Sequence, residues 1–223
     1  MKFKKSLNIP KLLLFFILST QIPLHGYSFE PDITDSKIQI VIDPGHGGND
    51  TGGRSVSGLM EKDFTLYLAF AVKNKLDKHF NVTLTRASDY SMTDIQRTDI
   101  ANSANASLFV SLHAGSLFTQ KGMKNILIGY SGEGKFSLTD HDSVLTDIKN
   151  AFEKKDSNVS VMKAPFNTAY YLTMPFIMIE AGNLNSPSES ISMKHPDFIE
   201  KTADTIAMVL SDFLNKQTVQ EQP

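Results

Sequence analysis

The stretch VIDPGHGGNDTGGRS, from Val41 to Ser55, joins an apolar run to a loop that is rich in glycine. The run KIQIVI at residues 37–42 is composed largely of β-branched residues, which favour a strand. Glycine-rich loops that follow a strand commonly bind phosphate, yet this one also carries a histidine, His46. Two hypotheses follow: a nucleotide site, or a site whose chemistry depends on His46.

The rest of the chain alternates between strand-like and helix-like patterns. Strands are predicted at residues 37–42, 82–85, 108–112, 125–130 and 176–180, and helices at 61–76, 93–104, 144–152 and 196–214. Such alternation predicts an α/β fold: a single open twisted, mostly parallel sheet of about five to six strands with helices on both faces. We expect one domain at residues 37–216, followed by a polar tail at 217–223.

Residues 1–28 have the three zones of a secretory signal peptide. Lysines without any acid precede the apolar run Leu12–Leu18, and small residues stand at Gly26 and Ser28. An N-terminal membrane anchor is the alternative, although the apolar run is short for a bilayer span. The sequence thus predicts an exported protein, periplasmic or extracellular at the cell wall, with a linker at 29–36 and no membrane span once the signal is removed.

Composition excludes several classes of function. The 223 residues are 41% hydrophobic and 21% charged, which is ordinary for a globular protein. The formal net charge is −2, and the lysines of the signal peptide are part of that balance, so nothing indicates a nucleic-acid partner. Cysteine is absent, which excludes thiol catalysis, disulfides and thiolate metal ligands.

The phosphate hypothesis fails on detail. Residues 48–55, GNDTGGRS, match the P-loop pattern GxxxxGK(S/T) except at Arg54, and arginine does not replace the compact lysine charge. A P-loop also runs directly into its helix, whereas residues 55–58 intervene here, and GxGxxG fails at Asp50. The segment GYSGE at 129–133 misses the nucleophile-elbow pattern of serine hydrolases. The hypothesis of a site whose chemistry depends on His46 is therefore favoured.

Functional groups of an open α/β sheet gather beyond the carboxyl ends of its strands. Four polar residues are predicted at that edge: His46 after the first strand, Glu61 at the first helix start, His113 ending the third strand and Glu180 ending the strand at 176–180. Two imidazoles and one carboxylate form the ligand set of a catalytic zinc, with the fourth position left to water. Glu61 by itself is also explained as an acid at the start of a helix. Glu180 is harder to explain structurally, because an unpaired charge at the end of an apolar strand costs free energy unless it has a function. The remaining histidines are interpreted as structural: His25, His79, His141 and His195.

Five motifs, in this order, resemble the zinc-dependent N-acetylmuramoyl-L-alanine amidases of the amidase-3 family: IDPGHGG, GLMEKD, LTR, SLHAG and MPFIMIEAGNLNS. The resemblance implies an open twisted sheet, Zn²⁺ held by His46, Glu61 and His113, and Glu180 as the catalytic glutamate. It implies peptidoglycan or muropeptides as substrate. The bond cleaved would be the amide between the N-acetylmuramic acid lactyl group and L-alanine. Two positions depart from the family: Gly115 replaces a common asparagine, and Asn183 replaces a frequent aromatic residue.

Two alternatives remain at this point. The chain could be a non-catalytic peptidoglycan-binding module derived from the family, although the intact quartet of polar residues favours an enzyme. It could also be a zinc peptidase that acts on another wall amide, because the same four groups would serve that reaction. A protein activator is not identifiable from the sequence.

Overall fold

A computed structural model describes residues 37–115, 126–130, 141–154, 159–163 and 166–220. The predicted signal peptide and linker at 1–36 lie outside the described residues. The strands are β1 Gln39–Pro44, β2 Asn81–Leu84, β3 Leu108–Gly115, β4 Ile126–Tyr130, β5 Val159–Lys163 and β6 Phe176–Asn183. The helices are α1 Glu61–Leu76, α2 Asp94–Ser103, α3 His141–Glu153, α4 Pro187–Ser192 and α5 Pro196–Gln220, with a 3₁₀ helix at Asn167–Tyr171.

The strands form one sheet in the order β2-β1-β3-β6-β4-β5. Neighbouring strands are parallel except β4 and β6, which pair antiparallel. The predicted α/β class and largely parallel sheet are therefore confirmed. Because β1, β3 and β6 run in the same direction, their carboxyl ends lie at one edge of the sheet.

Side chains of β1 alternate between two apolar clusters, as the two-residue repeat of a strand requires. Ile40 and Ile42 pack in a large cluster with residues of α1, α3 and α5, whereas Val41 packs in a smaller one with Ala101 of α2 and Ala169 of the 3₁₀ helix. The central strand is thus buried on both sides. The loop that carries His46 therefore begins at the end of a strand that is buried on both sides.

Several predicted boundaries were wrong. β3 and β6 continue to Gly115 and Asn183, so His113 and Glu180 lie inside paired strands instead of at strand ends. Pairing between neighbouring strands extends β3 and β6, and the composition of one strand does not show how far that pairing continues. Helix α5 reaches Gln220, which places part of the predicted polar tail in a helix. Strand β5 was not predicted because five residues at a sheet edge carry a weak alternating signal.

Within the residues that the structure describes, the helices lack an apolar stretch long enough to cross a bilayer.

Candidate metal centre

The loop after β1 turns through three successive residues in the left-handed region. The φ angles are 63° at His46, 130° at Gly47 and 59° at Gly48. Backbone hydrogen bonds between Gly47 and Asp50, of 2.9 and 3.1 Å, close the turn. Glycine adopts these angles without steric cost, but histidine does not. The backbone of His46 is therefore held in a conformation that the residue does not favour by itself.

The three predicted ligands meet at this edge of the sheet. His46 Nε2 lies 3.1 Å from Glu61 Oε2, and His113 Nδ1 lies 3.0 Å from Glu61 Oε1. The two imidazole rings are 4.9 Å apart between centroids and nearly perpendicular. One potential ligand atom from each residue lies within 4.8 Å of the others. We call these three residues the metal cluster.

Glu61 is fixed from two sides. It begins α1 and is buried, with its Oε2 accepting the Gly53 N–H at 2.8 Å and its Oε1 accepting the Ala114 N–H at 3.0 Å. Burial alone raises the pKa of Glu61, but the hydrogen bond from His113 and the nearby positive charge of His113 and His46 outweigh it and hold that pKa well below its usual range. The carboxylate is therefore charged, as a metal ligand must be.

Asp50 orients His46 and is a residue that the sequence analysis missed as a site residue. Its Oδ2 lies 2.8 Å from His46 Nδ1, while its Oδ1 accepts the Gly52 N–H at 3.0 Å. A carboxylate on one ring nitrogen fixes the tautomer and leaves the other nitrogen free to bind. Burial lowers the pKa of His46, but the Glu61 and Asp50 carboxylates raise it above its ordinary value. The available signal was an acid four residues after a histidine in one loop.

The other ring nitrogen supports a metal. His46 Nε2 is buried and makes no hydrogen bond within the described part of the chain, although Glu61 Oε2 lies 3.1 Å away. A buried polar atom without a partner costs free energy and calls for an explanation. A cation bound between two imidazoles and a carboxylate would satisfy this nitrogen. The residues present therefore fit a divalent metal ion.

Glu180 lies beside the metal cluster on the neighbouring strand. It pairs with His113 across β3 and β6 and is 7% exposed. Burial raises the pKa of Glu180 to about 7; the nearby charge of His113 lowers it and that of Glu61 raises it. No hydrogen bond joins its carboxylate to another described residue. A carboxyl group that titrates near neutral pH is suited to proton transfer.

The two positions that depart from the family are partners of each other. Gly115 pairs with Asn183 across the β3–β6 register shift that follows His113 and Glu180. A Cβ atom at Gly115 would overlap the carboxylate of Glu180. The absence of a side chain at Gly115 thus leaves room for the Glu180 carboxylate. This effect depends on the pairing of two strands that are far apart in the sequence.

The structure brings His46, Glu61, His113 and Glu180 to one place, as predicted. His79 and His195, interpreted as structural, are exposed and outside the metal cluster. His25 lies outside the described residues, and the side chain of His141 is not described.

The molecule is thus an α/β protein with a mostly parallel sheet. At the carboxyl edge of that sheet it carries a candidate metal site, the histidine–glutamate–histidine cluster. The family model for N-acetylmuramoyl-L-alanine amidase, Amidase_3, matches residues 40–212. The chain therefore belongs to this family, and the resemblance read from the motifs is confirmed.

Named relatives agree. The chain is 33% identical over 171 residues to the N-acetylmuramoyl-L-alanine amidase CwlM of Bacillus licheniformis, covering 74% of this chain and 64% of that protein. It is 42% identical over 109 residues to the probable N-acetylmuramoyl-L-alanine amidase AmiB of Haemophilus influenzae, covering 48% of this chain and 23% of that protein. The alignments thus span less than two thirds of these relatives.

Solved structures show the same fold. The N-acetylmuramoyl-L-alanine amidase of Clostridium difficile 630 superposes with a TM-score of 0.72 at 25% identity, over 81% of this chain and 98% of that one. The amidase AmiC2 of Nostoc punctiforme superposes with a TM-score of 0.70 at 26% identity, over 81% of this chain and 99% of that one.

Proposed function

We propose that the protein is a zinc-dependent peptidoglycan amidase. It hydrolyses the amide between the lactyl group of N-acetylmuramic acid and L-alanine of the stem peptide. The observation that carries the proposal is the metal cluster with its unsatisfied His46 Nε2, in a chain that belongs to the amidase family. The relatives' names supply the bond that is cleaved.

The metal-binding residues would be His46, Glu61 and His113. Two imidazoles and one carboxylate are the protein ligands typical of catalytic zinc, which keeps an open coordination position, whereas structural zinc usually takes four protein ligands. A zinc ion held there supplies Lewis acidity, which lowers the pKa of water and polarises a carbonyl group. Asp50 keeps the His46 ring in the tautomer that binds.

Glu180 carries the proton transfers. Its carboxylate accepts one proton from the attacking water and then donates it to the L-alanine nitrogen as the C–N bond breaks. The water oxygen is left on the lactyl carboxyl group, and the amine leaves with the added proton, so the elements of one water molecule are consumed. Burial of Glu180 supports this role, because in the metal-free protein it raises the pKa of the carboxyl group to about 7, where a proton can be both accepted and donated.

The site of action follows from the substrate. Peptidoglycan lies outside the cytoplasmic membrane, and residues 1–28 have the sequence zones of a secretory signal peptide. We place the enzyme at the cell wall, in the periplasm or outside the cell.

The test uses purified protein incubated with muropeptides, with and without a chelator, and products identified by mass spectrometry. Release of intact stem peptides that stops with the chelator and returns with zinc is the expected result. Glu180→Gln should retain zinc and lose cleavage, whereas Glu200→Gln, a substitution at an exposed glutamate, should behave as wild type.

Other outcomes identify the alternatives. Zinc bound by the wild type without cleavage of any muropeptide would indicate a binding module. Zinc-dependent cleavage at a different amide would indicate a peptidase acting on another wall bond.

A further inference from the structure

Two buried arginines lie against the loop that carries His46. Arg86 follows β2 and is 1% exposed, and Arg97 of α2 is 6% exposed. Burial of an ionised guanidinium group is costly unless its donors are paired. The partners of these two groups therefore indicate what the arginines do.

Their donors reach three consecutive carbonyl groups of the loop. Pro44 O accepts from Arg86 Nε and Arg97 Nη1, both at 3.0 Å. Gly45 O accepts from Arg86 Nη2 at 2.9 Å, and His46 O accepts from Arg97 Nη2 at 2.7 Å. The two guanidinium groups thus hold the backbone of the loop from the end of β1 to the predicted ligand.

Asp43 fixes the direction of Arg97. Its Oδ1 accepts from Arg97 Nη1 at 2.6 Å and from Thr85 Oγ1 at 2.5 Å, and its Oδ2 accepts from Ser111 Oγ at 3.0 Å. The rigid fork of an arginine can pair with a carboxylate and two carbonyl groups at once. We call Asp43, Arg86 and Arg97, with Thr85 and Ser111, the arginine network.

We propose that Arg97 and Arg86 are positioning residues that preorganise the zinc site. The inference rests on the proposed function. They hold His46 in its left-handed conformation, with φ at 63°, so that the imidazole faces Glu61 and His113 before any metal binds. The hydrogen bonds described for the two arginines go to the loop backbone and not to the side chains of the metal cluster, so each acts through the loop backbone.

A purely structural role would make a different prediction. If the arginines only stabilised the fold, their loss would lower the unfolding temperature, and the folded fraction would bind zinc as wild type does. A positioning role instead weakens zinc binding by the folded protein and changes the geometry around the metal. The two roles are therefore separable by binding and spectroscopy.

Arg97→Lys in the whole protein is the direct test, because lysine keeps the charge and loses the fork. Zinc affinity is measured by competition with a chromophoric chelator, and ligand geometry by the absorption spectrum of the cobalt(II)-loaded protein. We expect affinity to fall about 10- to 100-fold, as for other groups that orient metal ligands, with an altered cobalt spectrum. Val209→Ala, a core substitution in α5, is the control that lowers stability without touching the loop.

Thr65→Val covers the case in which Arg97→Lys does not fold. Thr65 Oγ1 donates to Gly45 O at 2.9 Å and accepts from Arg86 Nη2 at 3.2 Å, so valine weakens the same loop at constant volume. We expect a smaller loss of zinc affinity in the same direction. Wild-type affinity and a wild-type cobalt spectrum in the folded variants would overturn the proposal. Failure of the wild type itself to bind zinc would overturn the proposed function as well.

Discussion

The metal cluster and the arginine network are both buried polar groups at the carboxyl end of β1, yet their hydrogen bonding differs. In the arginine network both Asp43 oxygens and the Nη atoms of both guanidinium groups have protein partners. In the metal cluster His46 Nε2 lies 3.1 Å from Glu61 Oε2 but makes no hydrogen bond within the described residues. The arginine network is also the more deeply buried of the two, since the side chains of His46 and His113 are each 21% exposed.

The difference separates a structural role from a functional one. Buried polar atoms are nearly always paired, so an exception marks a place where something else binds or reacts. The perturbed pKa values of Glu61 and Glu180, where the predicted ligands converge, add to that inference. The polar groups of the arginine network bond to one another and to the loop, as expected of residues that position the metal cluster.

Removal of Asp43 should have the largest effect on stability. Asp43→Ala leaves Arg97 buried without its carboxylate, and breaking one partner of a buried ion pair costs about 3–5 kcal/mol. Chemical denaturation of the metal-free protein measures the free energy of unfolding. A loss below about 1 kcal/mol would contradict the assignment of the network as the structural member of the pair.

Glu180 should make the metal-free protein pH-dependent. Its folded pKa of about 7 lies above the ordinary 4.5, so the unfolded chain loses its proton first and stability falls as pH rises through that interval. The shift corresponds to at most about 3 kcal/mol of unfolding free energy, which is fully present below pH 4.5 and lost above pH 7.

The measurement for Glu180 is the difference in unfolding free energy between wild type and Glu180→Gln, both kept metal-free, across that pH interval. Glutamine does not titrate, so the two curves should separate as the pH rises. Parallel curves would show that the carboxyl group titrates normally in the folded protein.

Gly115→Ala should damage catalysis more than zinc binding. The new Cβ would displace the Glu180 carboxylate, and a shift of about 1 Å in a reacting group can cost roughly 100-fold in rate. We expect kcat to fall about 10- to 100-fold with zinc affinity near wild type. Gly58→Ala is the control that strains the backbone without touching Glu180, since φ is 79° there and no atom lies within 4 Å of a Cβ. Equal losses in both variants would remove the special role of Gly115.

His46→Gly should have the smallest effect on stability. Glycine removes a side chain from a left-handed position and relieves the unsatisfied nitrogen, while adding entropy to the unfolded chain. We expect the metal-free unfolding free energy to change by less than about 1 kcal/mol, with zinc binding lost. A large destabilisation would mean that His46 is itself a structural residue.

The sequence predicted those site residues whose position is set by the strand or helix next to them in the chain. His46 follows a strand within a glycine loop, and Glu61 begins a helix, so periodicity alone was enough to place both at the carboxyl edge. The fold class followed from the same alternation of patterns. Family motifs then gave His113 and Glu180 their expected roles.

The rest depended on contacts between distant segments. Arg86 lay within a quoted motif but received no role, because its hydrogen bonds return to Pro44 and Gly45 across the sheet. Asp50 was noted only as a mismatch to a phosphate motif. The space that Gly115 leaves for Glu180 exists only once β3 and β6 pair.

The arginine network also bears on whether the protein folds before or after it binds metal. In many small zinc domains the ligands come together only when metal arrives, so the apo chain is unfolded. Here Arg97 donates to the backbone carbonyl of His46, a contact that needs no ion. We therefore expect folding and metal loading to be separate events, with a chain that reaches its final shape first, collects its ion later, and loses or exchanges it without unfolding.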